Sequence, residues 1–338
     1  MKNHLVVILI ALNFFACTKN KFETVYKGYS IKGKHSRGID VSSNSIVMSG
    51  AKGSFVTYSY LNSHFNDYDW VADMEDFRDV HINPDGSILL LNSGLKGEIW
   101  KISTTGKQKL VYTRRDLFLD GFAFKDSVGF AYGDPVNDST FFILKTSNYG
   151  ESWQQIPPST LPLILEKEAG FAASGTGIQM PDEDVVFIAT GVAKTARIFR
   201  SFDAGKSWDV VNTPMKSGDH YGIYSMSFKT VNEGFIVGGS YKDTSYNEKI
   251  CFYTNDKGET WKNRSGGLPG YMSCIDSNVD LSLIVTTGRL GTYYSTNKGE
   301  KWKLLTNSPY YSCRVTENQI ILGGRFGTFE LINYKLKL

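Results

Sequence analysis

Residues 201–208 read SFDAGKSW, and residues 254–261 read TNDKGETW. Two further octets, TSNYGESW (146–153) and STNKGEKW (295–302), carry Asn148 and Asn297 where the first two carry Asp. The shared pattern places a hydroxyl, Asp or Asn, Gly and Trp at fixed positions, with start-to-start spacings of 55, 53 and 41 residues. Internal repetition at such intervals indicates a repeat architecture, and a four-stranded propeller blade has this length.

Alternating apolar runs come directly before each octet: FFILKT, RIFRS, ICFYT and TYYST. Period-2 alternation bounded by Gly, Asn and Asp predicts β-strands. The same unit, without the octet, can be followed through residues 38–72, 79–113 and 312–332. Seven units of roughly 43 residues predict an all-β fold, a seven-bladed β-propeller.

The last unit has no room for a fourth strand before the chain ends. FETVYKGYSI, residues 22–31, could supply that strand and join the two ends of the ring. Such closure would remove an open sheet edge, which proteins generally avoid exposing.

A structural role explains every fixed position of the octet. The Asp carboxylate can accept backbone N–H bonds, Gly permits a positive φ, and Trp can pack between neighbouring sheets. An enzyme needs one site and not four, so the repetition argues against catalysis. The residues assigned to this structural role are Asn148, Trp153, Asp203, Gly205, Trp208, Asp256, Gly258, Trp261, Asn297 and Trp302.

The octet resembles the Asp-box, or BNR repeat, which sialidases and photosystem II stability/assembly factors share. Residues 118–153, with FLDG and GDP, and residues 171–208, with FAASGT and ARIFRS, resemble the assembly-factor propellers more specifically. The resemblance covers about residues 30–335. It implies a seven-bladed propeller that acts as an assembly or binding platform.

The N-terminus predicts export. A short basic start precedes the apolar run Leu5–Phe15, which is too short for a membrane span of ~20 residues but fits a signal peptide. Ala16-Cys17 resembles a lipoprotein signal in which Cys17 is lipidated; an ordinary signal peptide is the alternative, since Phe14 stands where Leu is usual. We therefore expect a signal at 1–16, a linker with a possible closing strand at 17–29, and one propeller at 30–338. The expected location is the bacterial envelope, lipid-anchored, as a monomer.

The other cysteines are Cys251, Cys274 and Cys313, and we expect all three to be buried free thiols. YMSC (271–274) and YYSC (310–313) occupy equivalent positions in successive units. One blade of separation would place the last two thiols beyond the ~7 Å Cα distance that a disulfide permits.

Several partner and cofactor classes lack support in the sequence. The net charge of +3 comes without a basic block, so nucleic acid is not an expected partner. The five His residues show no ligand spacing, and there is no G-x-G-x-x-G or C-x-x-C motif, so neither a metal nor a cofactor is expected.

Aligning the seven units brings polar residues to one face of the ring. That face would hold the starts of the innermost strands and the loops after the second strands. The candidate binding residues there are Arg37, Arg78, Asp120, Ser174, Ser225, Lys52, Lys96, Arg197, Arg289 and Arg325. A cationic rim of this kind would attract carboxylates, phosphates or an acidic protein segment, but ordinary solvated surface is the alternative. Arg37 and Arg78 are the sharpest candidates, with Asp120 as their expected partner.

The expected function is non-catalytic: docking of a protein partner or an anionic ligand on this face. The alternative is a carbohydrate-active enzyme or a glycan-binding protein of the sialidase-like type, for which arginines and tyrosines are available. A catalytic glycosidase would need an arginine cluster, a nucleophile and an acid/base carboxylate in one pocket. No triad or nucleophile-elbow motif appears in the chain.

Overall fold

The computed structural model describes residues 20–29, 34–69, 76–137 and 139–337. The proposed signal peptide and Cys17 lie outside the described residues. The described chain forms seven four-stranded antiparallel sheets, which confirms the predicted seven-bladed all-β propeller. Its helical segments are two single 3₁₀ turns, Pro158–Thr160 and Arg325–Gly327, neither of which has the length or hydrophobicity of a membrane span.

Blade 7 takes its outer strand from the start of the chain, β1 (Lys21–Tyr29). Blades 1 to 3 are β2 (Ser36–Val41), β3 (Ser45–Gly50), β4 (Ser54–Ser59), β5 (His64–Asp69); β6 (Asp76–Ile82), β7 (Ile88–Ser93), β8 (Lys96–Ile102), β9 (Gln108–Arg115); and β10 (Leu119–Lys125), β11 (Val128–Gly133), β12 (Phe142–Thr146), β13 (Gln154–Gln155).

Blades 4 to 6 are β14 (Ile178–Asp182), β15 (Val185–Ala189), β16 (Arg197–Ser201), β17 (Asp209–Asn212); β18 (Tyr221–Phe228), β19 (Gly234–Ser240), β20 (Cys251–Thr254), β21 (Lys262–Asn263); and β22 (Cys274–Ser277), β23 (Ile284–Gly288), β24 (Gly291–Ser295), β25 (Lys303–Thr306). The other strands of blade 7 are β26 (Tyr310–Val315), β27 (Gln319–Gly324) and β28 (Thr328–Lys335).

The N-terminal strand closes the ring. β1 runs antiparallel to β28, with Lys21 opposite Lys335 and Tyr29 opposite Thr328. Its side chains reach both neighbours of blade 7, because Phe22 packs in the apolar cluster shared with blade 6 and Tyr26 in the one shared with blade 1. The sheet edge that blade 7 would otherwise expose is thereby paired.

Apolar side chains fill every interface between neighbouring blades of the described chain. Seven buried clusters lie between the sheets, one in each interface. The second strand of a blade contacts both neighbours, so β15 and β19 are buried along their whole length. This explains why these strands read as continuous apolar runs and the outer strands do not.

Each octet forms the same closed turn, with Asp203 as a representative case. Its Oδ1 accepts the Ser201 hydroxyl at 2.9 Å and the Ser207 N–H at 2.9 Å. Hydrogen bonds from the Ser207 hydroxyl and N–H lower the pKa of Asp203 to about 2. Gly205, with φ +81, donates its N–H to the Ser201 oxygen at 2.8 Å. The turn thus satisfies backbone groups that no strand ladder could reach.

The tryptophan of each octet packs against the preceding blade. Trp153, Trp208, Trp261 and Trp302 lie in the clusters between blades 2 and 3, 3 and 4, 4 and 5, and 5 and 6. The octet therefore links a turn of one sheet to the core that it shares with its neighbour.

A cation from the preceding blade also bonds to each octet turn. It donates to the backbone carbonyl of the fourth octet residue, which in every case has a positive φ. The pairs are Lys101 to Tyr149 (3.1 Å), Lys145 to Ala204 (2.7 Å), Arg200 to Lys257 (2.9 Å) and Arg264 to Lys298 (3.0 Å). In three of them the same cation pairs with the octet's Glu: Glu151, Glu259 and Glu300.

Cys251, Cys274 and Cys313 are buried free thiols, as the sequence predicts. Cys274 and Cys313 are nevertheless in contact. The Cys313 N–H donates to the Cys274 Sγ at 3.4 Å across the interface of blades 6 and 7. Equivalent positions of neighbouring innermost strands come into contact because these strands converge on the ring axis.

We expect Tyr26→Ala to destabilise the closed ring by about 2 kcal/mol, because the half-buried ring packs against Phe65 and Phe329. The melting temperature by circular dichroism measures this. Val25→Ala on the exposed side of the same strand is the control and should change stability by less than about 0.5 kcal/mol. Equal melting temperatures for the two variants would contradict the closing role.

Arg200→Met should reduce the free energy of unfolding by about 1–3 kcal/mol, because the carbonyl of Lys257 loses its charged donor. Chemical denaturation measures the change. Lys206→Met is the control. It removes an exposed cation from the octet 201–208, one blade before the octet that Arg200 contacts, and should have almost no effect on stability. A loss of similar size in both variants would show that the inter-blade bond adds nothing specific.

Candidate functional site

One face of the propeller carries a recess at the ring axis, here called the mouth pocket. Its volume is about 490 Å³, and it is lined by residues of the innermost strands, the loops after second strands and the links between blades. Arg37, Arg78, Asp120 and Arg289 line it, so the alignment of units correctly brought these four together. We call this face the mouth face and the opposite one, which carries the octets, the octet face.

Two arginines of the pocket share one carboxylate. Arg78 Nη2 lies 3.0 Å from Asp76 Oδ2, and Arg37 Nη2 lies 3.8 Å from the same oxygen. The alignment of units predicts Asp120 in this role, and this prediction is wrong, because the carboxylate that pairs with both arginines is that of Asp76. Asp76 and Arg78 are two positions apart on β6, so their side chains leave the same face of the strand and meet.

A segment of the chain closes the channel below the pocket. Residues 170–177, here called the plug, precede β14 and cross the axis. Arg78 of blade 2 donates to the carbonyl of Ala172 at 3.2 Å, and Ser174 donates to the carbonyl of Ser273 in blade 6 at 3.2 Å. Gly175 has φ +74, and a Cβ there would lie 2.0 Å from Asp79 Oδ1. Only glycine fits this crossing.

Because the plug fills the channel, the predicted positions of two site residues are wrong. Ser174 and Ser225 were expected in a polar ring around an open channel, but both are fully buried. Thr176 of the plug bonds to Ser225 at 2.6 Å and to Ser174 at 2.7 Å. The innermost strand of blade 4 begins at Ile178 and not at Ser174, because residues 174–177, which were expected to start this strand, belong to the plug.

Arg197 is also misplaced by the sequence analysis. It begins β16 but turns into its own blade, where Nε donates to Glu168 Oε1 at 2.9 Å and Nη2 donates to the carbonyl of Leu163 at 2.9 Å. Glu168 itself is buried. This buried guanidinium, ion-paired with Glu168, supports the loop at 163–168 and does not line the pocket.

Three other predicted cations, Lys52, Lys96 and Arg325, do not line the pocket. Lys52, Lys96 and Arg325 are exposed. The Arg325 guanidinium lies 4.5 Å from the ring centre of Phe326, which contacts His35 at the edge of the pocket. Arg289 does line the pocket and donates Nη1 to the carbonyl of Tyr241 at 2.8 Å.

Aromatic residues form a wall that the sequence analysis missed. Phe171 of the plug stacks on Tyr224 with ring centres 3.8 Å apart, and Tyr224 meets Tyr271 edge-on at 4.8 Å. The Arg37 guanidinium lies 5.5 Å from the ring centre of Tyr311. The signal was present, since Tyr271 and Tyr311 belong to the YMSC and YYSC repeats that were read only for their cysteines.

Two carboxyl groups form the wall at blade 3. Asp120 is 2% exposed, and its Oδ2 has no hydrogen-bond partner among the described residues. Asp134 accepts the Gly170 N–H at 3.1 Å. Burial raises the pKa of both groups, and the charge of Asp134 raises that of Asp120 further, well above its ordinary value. The pocket thus has arginines on one side and hard-to-ionise carboxyls on another.

The described residues contain no group of three or more His, Cys, Asp or Glu side chains arranged to hold a metal ion. What the pocket offers chemically is recognition: guanidinium donors, phenol hydroxyls and carboxyl oxygens around a recess with an apolar floor of Ala172 and Ala173.

Comparison with known proteins matches residues 177–322 to the family model of the Photosynthesis system II assembly factor YCF48. Photosystem II stability/assembly factor HCF136, chloroplastic, of Arabidopsis thaliana is 29% identical over 161 residues. That alignment spans 46% of this chain and 37% of the plant protein, well under half of its length.

Solved structures with the same fold include a streptogramin B lyase, with a TM-score of 0.66 and 12% identity, covering 94% of this chain and 98% of that one. The WD40 β-propeller domain of Doa1 has a TM-score of 0.65 and 11% identity, covering 92% and 97%. The Pan2 WD40 domain of Neurospora crassa has a TM-score of 0.62 and 9% identity, covering 90% of this chain and 90% of that one. At these identities the likeness shows the fold alone. The family model and the plant relative confirm the resemblance first read from the octets: each matches a little under half of this chain, which over those residues is similar to the BNR-repeat β-propellers of the photosystem II stability/assembly factor type.

Proposed function

We propose that this protein is a non-catalytic docking platform that holds a protein partner at the mouth pocket during assembly of an envelope complex. The similarity to assembly factors supports the general role. The observation that carries the proposal for this chain is the mouth pocket itself, where Arg37, Arg78 and Arg289 converge beside a wall of tyrosines.

The chemistry of the pocket suits an anionic protein segment. Guanidinium groups form charge-assisted, often bidentate hydrogen bonds with carboxylates, and tyrosine and arginine are the residues that dominate binding energy at protein interfaces. Asp76 already neutralises part of the charge of Arg37 and Arg78, which fixes their side chains before a partner arrives. Preorganised groups of this kind lose less entropy on binding.

Arg37→Gln/Arg78→Gln should reduce capture of the partner from solubilised envelope membranes by about tenfold or more, because each lost charged hydrogen bond contributes about 1.5–3 kcal/mol. Quantitative mass spectrometry of crosslinked pull-downs measures this. Lys107→Gln/Arg115→Gln is the charge-matched control, since both residues are exposed and neither lines the pocket. Equal capture by the two double variants would contradict docking at the mouth.

A second candidate function is glycan binding or glycoside cleavage at the same pocket. It is favoured by one observation: arginines, tyrosines and a buried carboxyl with a raised pKa, Asp120, share one recess. Release of sugar from sialosides or mucin glycans by the wild type, abolished in Arg37→Gln, would replace the docking proposal with this one.

We also propose that Cys17 carries a lipid anchor and that the mouth faces away from the membrane. Support for the orientation comes from β1, which begins with Lys21 at the octet face, opposite Lys335, and ends with Tyr29 at the mouth face. Four residue steps from Cys17 to Lys21 span at most ~14 Å, so an anchor at Cys17 would hold the octet face near the bilayer.

Cys17→Ser should move the protein from the membrane fraction to the soluble envelope fraction, because the thiol that would receive the lipid is gone. Fractionation and metabolic labelling with palmitate measure this. Cys251→Ser, a buried thiol, is the control and should remain labelled and membrane-bound. Labelling that survives Cys17→Ser would rule out this anchor.

A further inference from the structure

We propose that the mouth pocket recognises a partner segment that carries both charges: a lysine ammonium on the Asp120 wall and a neighbouring carboxylate on the Arg37 side. This inference rests on the proposed docking function and names the chemistry of the docked segment. It goes beyond attraction of an acidic partner, because it assigns a cationic group to a pocket whose rim is rich in arginine.

The first observation is the unpartnered oxygen of Asp120. This side chain lies on β10, lines the pocket and is 2% exposed, yet its Oδ2 has no partner among the described residues. An unpaired buried acceptor costs free energy, and native proteins rarely leave one without a reason. Because Asp120 lines the pocket, a cation from the partner would compensate the charge of this carboxyl when it ionises.

The second observation is the surroundings of that oxygen. The buried side chain of Tyr132, on the next strand of blade 3, interacts electrostatically with Asp120. Gly170 of the plug passes so close that a Cβ there would lie 2.5 Å from Asp120 Oδ2. Gly170 therefore packs directly against this oxygen, where the Cβ of any other residue would collide with the carboxyl.

A lysine fits this wall better than an arginine. An ammonium is a compact point charge that can bond to one carboxylate oxygen, whereas a guanidinium is best matched by two. One oxygen of Asp134 already accepts the Gly170 N–H, so this wall offers single carboxyl oxygens and not the pair of oxygens that a bidentate guanidinium contact needs. The methylene stem of a lysine can lie against the aromatic wall formed by Phe171, Tyr224 and Tyr271.

The opposite side of the pocket suits the carboxylate. The buried Nε of Arg37 has no hydrogen-bond partner among the described residues, and its Nη2 lies 3.8 Å from Asp76 Oδ2, a loose ion pair. The pocket therefore combines arginines of blades 1, 2 and 6 with two carboxyls of blade 3. A segment with both signs matches this field, whereas a purely acidic one would place negative charge against Asp120 and Asp134.

Binding of a cation at Asp120 requires that carboxyl to ionise. Burial and the neighbouring Asp134 raise the pKa of Asp120, and Arg78 opposes them; Tyr132 is the other titratable group that faces it. Because the raised pKa keeps the free protein's carboxyl protonated to higher pH, a lysine-bearing ligand would bind more tightly as pH rises and would release a proton. A ligand without lysine would not show this dependence.

The test is selection from a displayed random hexapeptide library on the immobilised propeller. Wild type, Asp120→Asn and Asp116→Asn are compared; Asp116 is an exposed carboxyl near the start of the same strand and does not line the pocket. We expect wild type and Asp116→Asn to enrich peptides with an acidic residue and a lysine close together. Asp120→Asn should enrich lysine-bearing peptides about tenfold less than the wild type does, and it should keep the preference for acidic residues.

Calorimetry of one enriched peptide in two buffers of different ionisation enthalpy gives an independent readout. Wild type should release a proton on binding, and Asp120→Asn should not. Enrichment of acidic peptides alone, or a lysine preference that survives Asp120→Asn, would overturn this inference and leave the docking function standing. Absence of any charged enrichment by the wild type would overturn both.

Discussion

The propeller depends on how each sheet is fixed to the next. Apolar packing between blades is not directional, so it fills the interfaces without setting the angle between sheets. The octet turns supply direction: a cation of one blade reaches the carbonyl of a positive-φ residue in the next, as Arg200 does at Lys257. The octet tryptophan then enters the interface on the same side, as Trp261 does. A polar bond and an aromatic wedge thus act together at four of the seven interfaces of the described chain.

The sequence was sufficient for the fold because the fold is local and repeated. Period-2 alternation marks the strands, the octets mark the turns, and the number of units gives the number of blades. The closing strand followed from the missing fourth strand of the last unit. Some of the inter-blade cations could have been found from the sequence, since Lys145 and Arg200 each stand directly before the octet of their own blade. Arg264 could not, because it reaches the next turn from the position directly after the outer strand β21 of its blade.

The site was predicted only as far as the repeat holds. Arg37, Arg78, Asp120 and Arg289 occupy aligned positions and do meet in the pocket. The plug breaks the alignment: Gly175 turns the chain across the axis, buries Ser174 and Ser225 and gives the pocket its floor. Arg197 fails for a similar reason, because Glu168 lies in a loop without counterpart in other units. Residues that interrupt a repeat have no aligned neighbours, so periodicity says nothing about their partners. In this chain those interruptions shape the binding surface.

The pairing of the first strand with the last has a mechanical consequence. The N- and C-terminal ends of the described chain meet at the octet face, where the Lys337 N–H donates to Asn20 Oδ1 at 2.9 Å. A force applied through the N-terminus would load the β1–β28 ladder at its first pair, Lys21 and Lys335, and break its bonds one after another rather than all at once. The outer strand would peel before any other part of the ring yielded. Peeling would break only the bonds of this strand, so the six blades built from consecutive chain could stay folded and the strand could re-pair once the load is released.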